Sequence, residues 1–308
     1  MQLQPWSYAT HYGFTLRGLH SRPSGKPVLH VLHGNGFCSL MYQPMLVLLA
    51  EHFDLFLSDA QGHGDSDHGG KFIGWHQSAD LALEAFIAHL PLFQQHMTNA
   101  IQVYALGHSF GGVLTALINS RADSPFSQVV LLDPVLFPPY LLNSMRILDK
   151  VGLYRKNPYA KKALNRRQHW PQRSEVEAYL TDRGMFKGWA PASLQAYIDH
   201  ALHHRPDGVR LKCQPSREAE IFSSYPAKLW TELAKPCSPT LLLYGDQTYP
   251  FVPKAVKRWQ RLNPALQAKL VSGGHCFMQQ HPEQTARQIL QHWHCQNDLP
   301  VTASLELR

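Results

Sequence analysis

A chain of 308 residues that is 44% apolar and 17% charged can bury a large core, which excludes a disordered or low-complexity protein. Its apolar runs have strand length and fall far short of the roughly 18 residues a spanning helix needs, and residues 1–20 lack a basic region followed by an apolar one, so neither a membrane span nor a secretory signal is expected. The net charge of +7 is concentrated between residues 136 and 235, where 17 Lys plus Arg face 9 Asp plus Glu, but no dense basic run with interleaved aromatics accompanies it, so it reads as a solvated surface and not as a nucleic-acid footprint.

Five cysteines (Cys38, Cys213, Cys237, Cys276 and Cys295) are odd in number and lack CxxC spacing, which argues against a disulfide framework or a zinc ribbon. Reduced thiols in a cytoplasm are the expectation.

In chain order, residues 15–20 and 28–33 read as strands, 40–51 as a helix and 55–59 as the next strand. Residues 78–92 carry Leu81, Ala85, Ala88 and Leu92 at helical spacing. A buried-type strand over 101–106, a helix over 111–120 and a strand over 129–132 complete a βαβ alternation, which predicts a mostly parallel sheet. The pattern then breaks. From about residue 137 to 235 the chain is rich in Arg, Lys, Tyr, Trp and Pro, with helix-like pieces at 175–181 and 194–203 and no convincing strand. Alternation resumes with a strand at 240–244, a helix at 252–262, a strand at 268–272 and a last helix over 282–295, followed by a tail, 296–308, without periodicity. Neither flank alone has enough strands for a sheet, so the expected organisation is one α/β core, residues 1–136 and 236–308, interrupted by a helical cap over 137–235.

The strongest local signal is Gly107-His108-Ser109-Phe110-Gly111-Gly112, between a strand and a helix. That context suits a G-x-S-x-G nucleophile elbow, where a serine on a strained turn tolerates only small neighbours. Here the sequence resembles the α/β-hydrolase superfamily, through most of the chain outside the insertion. His33-Gly34-Asn35-Gly36-Phe37 resembles its HG oxyanion turn, and Asp59 to Ser66 its D-x-R-G-x-G-x-S loop, with Gln61 in the arginine's place. Gly274-His275 ahead of Pro282-Glu283 matches its histidine turn. HGNGF together with Leu211-Lys212-Cys213 and Glu218-Ala219-Glu220-Ile221-Phe222 is similar to one branch of lid-bearing hydrolases or acyltransferases.

The resemblance implies an α/β-hydrolase fold with a cap inserted after the superfamily's strand six, Ser109 as nucleophile, His275 as general base, and the amides of Asn35 and Phe110 as oxyanion donors. His108 and His63 are read as structural. The acid stays open. The usual position, three residues beyond Gly245, holds Thr248, which carries no charge to steady an imidazolium. Asp133, directly after strand six, is preferred, with Asp246 as the alternative.

A Rossmann reading of Gly34-Asn35-Gly36 fails because Ser39 stands where the third glycine belongs. His200, His203 and His204 beside Asp199 lack HExxH and read as a solvated face, so no metal or cofactor is expected. The expected function is a cytoplasmic carboxylic-ester or thioester hydrolase acting on a small-molecule acyl substrate through an acyl-serine. Acyl transfer, amide or carbon–carbon hydrolysis on the same core, or a non-catalytic ligand-binding member, are the alternatives; acyl-chain length and oligomeric state stay open.

Overall fold

The computed structural model describes residues 1–95, 100–154 and 157–293. The first half runs β1 (Leu3–Ala9), β2 (Thr15–Ser21), β3 (Val28–Leu32), α1 (Gln43–Leu49), β4 (Asp54–Asp59), α2 (Trp75–Gln94), β5 (Val103–His108), α3 (Ser109–Asn119) and β6 (Gln128–Leu132). Next come α4 (Pro139–Lys150), α5 (Pro158–Leu164), β7 (His169–Trp170), α6 (Arg173–Leu180), α7 (Pro191–His200), β8 (Leu202–Arg205), β9 (Gly208–Leu211), α8 (Pro215–Phe222) and α9 (Leu229–Leu233). The chain closes with β10 (Thr240–Gln247), α10 (Val252–Leu262), β11 (Gln267–Gly274), α11 (Phe277–Gln280) and α12 (Pro282–His292). The predicted tail and Cys295 lie outside the described residues.

Eight strands form one sheet in the order β1-β2-β4-β3-β5-β6-β10-β11. Every neighbouring pair from β4 to β11 is parallel, and β1 and β2 add an antiparallel edge. Every residue of β3, β4 and β5 is buried, as strands covered on both faces must be. Alternation along them splits the core in two. Val28, Leu32 and Phe56 join one cluster with α2, α3 and α10, whereas Leu29, Val31, Leu55 and Leu57 join the other with α1 and α12. The sequence reading missed β1, whose residues are mostly exposed or half-buried and carry little hydrophobic pattern.

This order fixes where ligand chemistry can gather. β3 and β4 lie to one side of β5, and β6, β10 and β11 to the other, so the chain reverses direction beside β5 and opens a crevice at the carboxyl ends of the strands.

Between β6 and β10 the segment is not purely helical, because β7, β9 and β8 pair into a small antiparallel sheet that the sequence reading did not find. These strands have two to four residues, too short to register as a period. The expected helix over 194–203 accordingly stops at His200, where β8 takes over. α8 is bolted to the core. Arg217, fully buried, donates through Nη2 to the carbonyls of His68 and Gly70 and through Nη1 to Glu220, whose carboxylate accepts the amide of Phe72. Gln61, standing where the resemblance expects arginine, donates to the carbonyls of His68, Gly69 and Lys71 in that same loop.

Candidate active site

β5 passes directly into α3 at Ser109, whose φ of 55° places a non-glycine residue in the left-handed region. The turn is sharp enough that the residues two positions to either side cannot carry side chains. A Cβ on Gly107 would lie 2.4 Å from Thr115 Oγ1, and one on Gly111 would lie 2.4 Å from the His33 carbonyl oxygen. The helix starts two residues earlier than the sequence suggested, and Ser109 therefore stands at its first turn.

The histidine turn after β11 brings His275 to this serine. Its Nε2 lies 2.8 Å from Ser109 Oγ, and its Nδ1 lies 3.0 Å from Asp133 Oδ1. Since a carboxylate only accepts, Nδ1 carries the proton and Nε2 is free to accept from the hydroxyl. Asp133 is fully buried in the turn after β6 at a φ of 44°, its second oxygen accepting the Gly245 amide at 2.8 Å. Thr248, just beyond β10, donates its hydroxyl to Asp133 Oδ1. Asp246 is engaged elsewhere: it is exposed, and its Oδ1 accepts the Gly273 amide at 2.9 Å. Of the two carboxylates weighed from sequence, Asp133 is the one that meets the imidazole.

Opposite these groups lies the turn after β3. Among the described residues the amides of Asn35 and Phe110 meet no acceptor, and Phe110 is among the helix-opening amides that have no partner within the helix. Three buried histidines hold the turn in shape. Burial pushes His33, His63 and His108 below the ordinary imidazole range, so each is neutral, with one nitrogen donating and the other accepting. His33 donates to the Gly34 carbonyl at 2.8 Å and accepts from Ala60 at 3.0 Å, while His63 donates to Gln61 and accepts the Gly36 amide at 3.0 Å. His108 donates to the His275 carbonyl at 3.1 Å, which leaves its Nδ1 to accept from Tyr42 at 2.7 Å. The Tyr42 oxygen in turn accepts the Gly34 amide at 3.1 Å. One continuous chain thus joins the glycine turn to the backbone of His275.

The insertion reaches the same turn. Asn35 donates from Nδ2 to the Glu218 carbonyl at 3.0 Å, and the buried Glu218 carboxylate pairs with Arg166 at 2.8 Å. Arg166 also donates to Tyr197 at 2.6 Å. Sequence reading singled out the Glu218 segment by resemblance without assigning it this contact, and it passed over Tyr42, Arg166 and Arg217.

An aromatic wall lines the other side. The Tyr249 ring lies 4.8 Å from that of His275 and stacks on Phe251 at 5.5 Å; Phe251 meets Phe137 at 5.5 Å, and Trp75 bridges Phe137 to Phe110 at 6.1 and 4.8 Å. Between β6 and β10, Trp170 and Tyr197 are fully buried and Tyr154, Phe186 and Trp189 nearly so, with Trp189 and Tyr197 packing edge-on against Phe37. The neighbouring Cys276 is no rival nucleophile, because burial pushes its thiol up and keeps it protonated.

A crevice at the carboxyl ends of parallel strands, with a serine, an imidazole and a carboxylate delivered by the turns after β5, β11 and β6, is the arrangement of α/β-hydrolases. The chain matches the alpha/beta hydrolase family over residues 28–288 and belongs to that family. It resembles the solved E-2-(acetamidomethylene)succinate hydrolase with a TM-score of 0.73 at 20% identity, covering 95% of this chain and 100% of that one. The peroxisomal alpha-beta-hydrolase Lpx1 of Saccharomyces cerevisiae gives a TM-score of 0.73 at 18% identity, with 100% and 92% covered. The abhydrolase domain-containing protein AKT2 of Alternaria alternata is 29% identical over 113 residues, 37% of this chain and 38% of that protein, so the chain spans little more than a third of that relative. Among the described residues no helix is long and apolar enough to cross a membrane.

Proposed function

We propose that this protein is a serine hydrolase that cleaves a carboxylic ester or thioester through an acyl-serine intermediate, with residues 137–235 acting as a cap on the core. One observation carries the reading: Ser109, His275 and Asp133 form an unbroken hydrogen-bonded line of 2.8 and 3.0 Å, beside two amides with no acceptor.

In this mechanism Ser109 Oγ attacks the acyl carbon and its proton passes to His275 Nε2. The carbonyl oxygen becomes an oxyanion facing the amides of Asn35 and Phe110, donors worth about 3 kcal/mol each in comparable sites. Collapse expels the alcohol or thiol, which leaves with the proton from His275. Water then gives a proton to His275 and adds to the acyl-serine, and a second collapse returns that proton to Ser109 and releases the acid. Asp133 stays ionised, orienting the ring and balancing the imidazolium. The non-catalytic reading rested on Thr248 at the usual acid position, and it loses ground because the Thr248 hydroxyl supports a carboxylate on the neighbouring strand.

A fluorophosphonate probe tests this directly. Intact-mass analysis should find one adduct, mapped to Ser109 and absent in Ser109→Ala; a folded protein that takes up no probe sinks the proposal.

A further inference from the structure

Among the described residues, the cap carries an apolar face that lies exposed. On α4, Leu142 and Met145 turn into the core, whereas Tyr140 and Ile147, seven residues apart, share an outward stripe that Val151 continues at the helix's C-cap. Ile147 and Val151 are each 64% exposed, and Leu153 and Tyr159 each 52%. Such residues scattered singly would mean little, but these lie within one short stretch of α4, α5 and their connection. Charge on it is equally one-sided: its described residues carry Arg146, Lys150, Lys161 and Lys162, all exposed, against the single acid Asp149.

The face borders the reaction centre. The Tyr159 ring meets Tyr249 edge-on at 6.1 Å, and Tyr249 meets His275 at 4.8 Å, so two aromatic contacts connect the exposed surface to the imidazole. Apolar side chains flanked by cations suit a surface that offers both hydrocarbon and negative charge. A second copy of the chain is the poorer partner, since it would set like charges against each other.

We propose that the outer face of α4 and α5 docks on an anionic lipid bilayer, with the mouth of the site toward the membrane. The substrate class that follows, acyl esters long enough to reside in that bilayer, rests on the serine-hydrolase reading; the docking itself does not.

Sedimentation with sucrose-loaded vesicles of phosphatidylcholine and phosphatidylserine at 7:3 tests the docking. The wild-type protein should pellet with them, release with added salt, and stay in solution with phosphatidylcholine alone. Two variants act on separate features: Ile147→Ser with Val151→Ser and Leu153→Ser, and Lys161→Glu with Lys162→Glu. Each should weaken pelleting by about tenfold or more while p-nitrophenyl butyrate is hydrolysed at the wild-type rate, which also shows that the fold is intact. Hydrolysis of 4-methylumbelliferyl oleate held in the vesicles should fall in parallel. Failure of the wild type to pellet, pelleting unchanged in both variants, or a dimer in sedimentation velocity that the serine variant dissolves would each overturn the proposal. Vesicle binding without any ester hydrolysis would instead count against the serine-hydrolase reading and leave the docking in place.

Discussion

Thr248 donates its hydroxyl hydrogen to Oδ1 of Asp133, the same carboxylate oxygen that faces Nδ1 of His275 at 3.0 Å. The turn after β10, whose usual acid position in the family is filled here by threonine, braces the carboxylate of Asp133 one strand away. Thr248→Val removes that donor and leaves the charge in place. It should lower kcat about tenfold with little change in KM, and Thr248→Ser should restore it; steady-state kinetics on a p-nitrophenyl ester separates the two parameters.

The two carboxylates weighed from sequence are separated by the same assay. Asp133→Asn leaves the imidazole without its anionic partner, and kcat should fall about 10⁴-fold. Asp246→Asn loses only an exposed charge, since the amide oxygen can still accept the Gly273 amide, and should stay within a few-fold of wild type. Equal indifference to both changes would show that no acid is needed.

Asn35 offers a test of how far the segment between β6 and β10 controls the turn after β3. Asn35→Ala keeps the backbone amide but loses the hydrogen bond to the Glu218 carbonyl. Loosening of the turn should cost about tenfold in kcat with little loss of thermal stability, a split that calorimetry and kinetics read together.

Glu218→Gln neutralises one partner of a buried ion pair and leaves Arg166 uncompensated. Destabilisation of about 3 kcal/mol is expected, measured as a shift of the urea midpoint at unchanged slope.

Acid should unfold the protein early. Burial holds His30 down at about 3, and His33, His63 and His108 are lowered as well. Because the folded values lie below the unfolded one, the unfolded chain binds more protons, and stability is fully present above about pH 6.5 and lost as pH falls toward the folded values. Each such histidine contributes about 1.4 kcal/mol per pH unit within that window. Urea midpoints between pH 7 and 5 should fall steeply, and His30→Phe, packed among Phe56, Phe86 and Phe126, should flatten the slope by one proton.

Sequence by itself determined the α/β core and the local turns. Gly107 and Gly111 flank a serine because a Cβ at either would strike backbone or side chain within 3 Å, and that steric demand is written in adjacent residues. Continuous apolar runs such as residues 129–132 announced strands buried on both faces for a similarly local reason. Tertiary structure alone placed Asp133 rather than Asp246 against His275, because their positions along two neighbouring strand ends send one carboxylate into the core and the other to solvent. It alone also joined Asn35 to Glu218, 183 positions apart, and left an apolar stripe of α4 exposed among the described residues. Contacts of that range depend on how layers stack, and no periodicity within a single element encodes them.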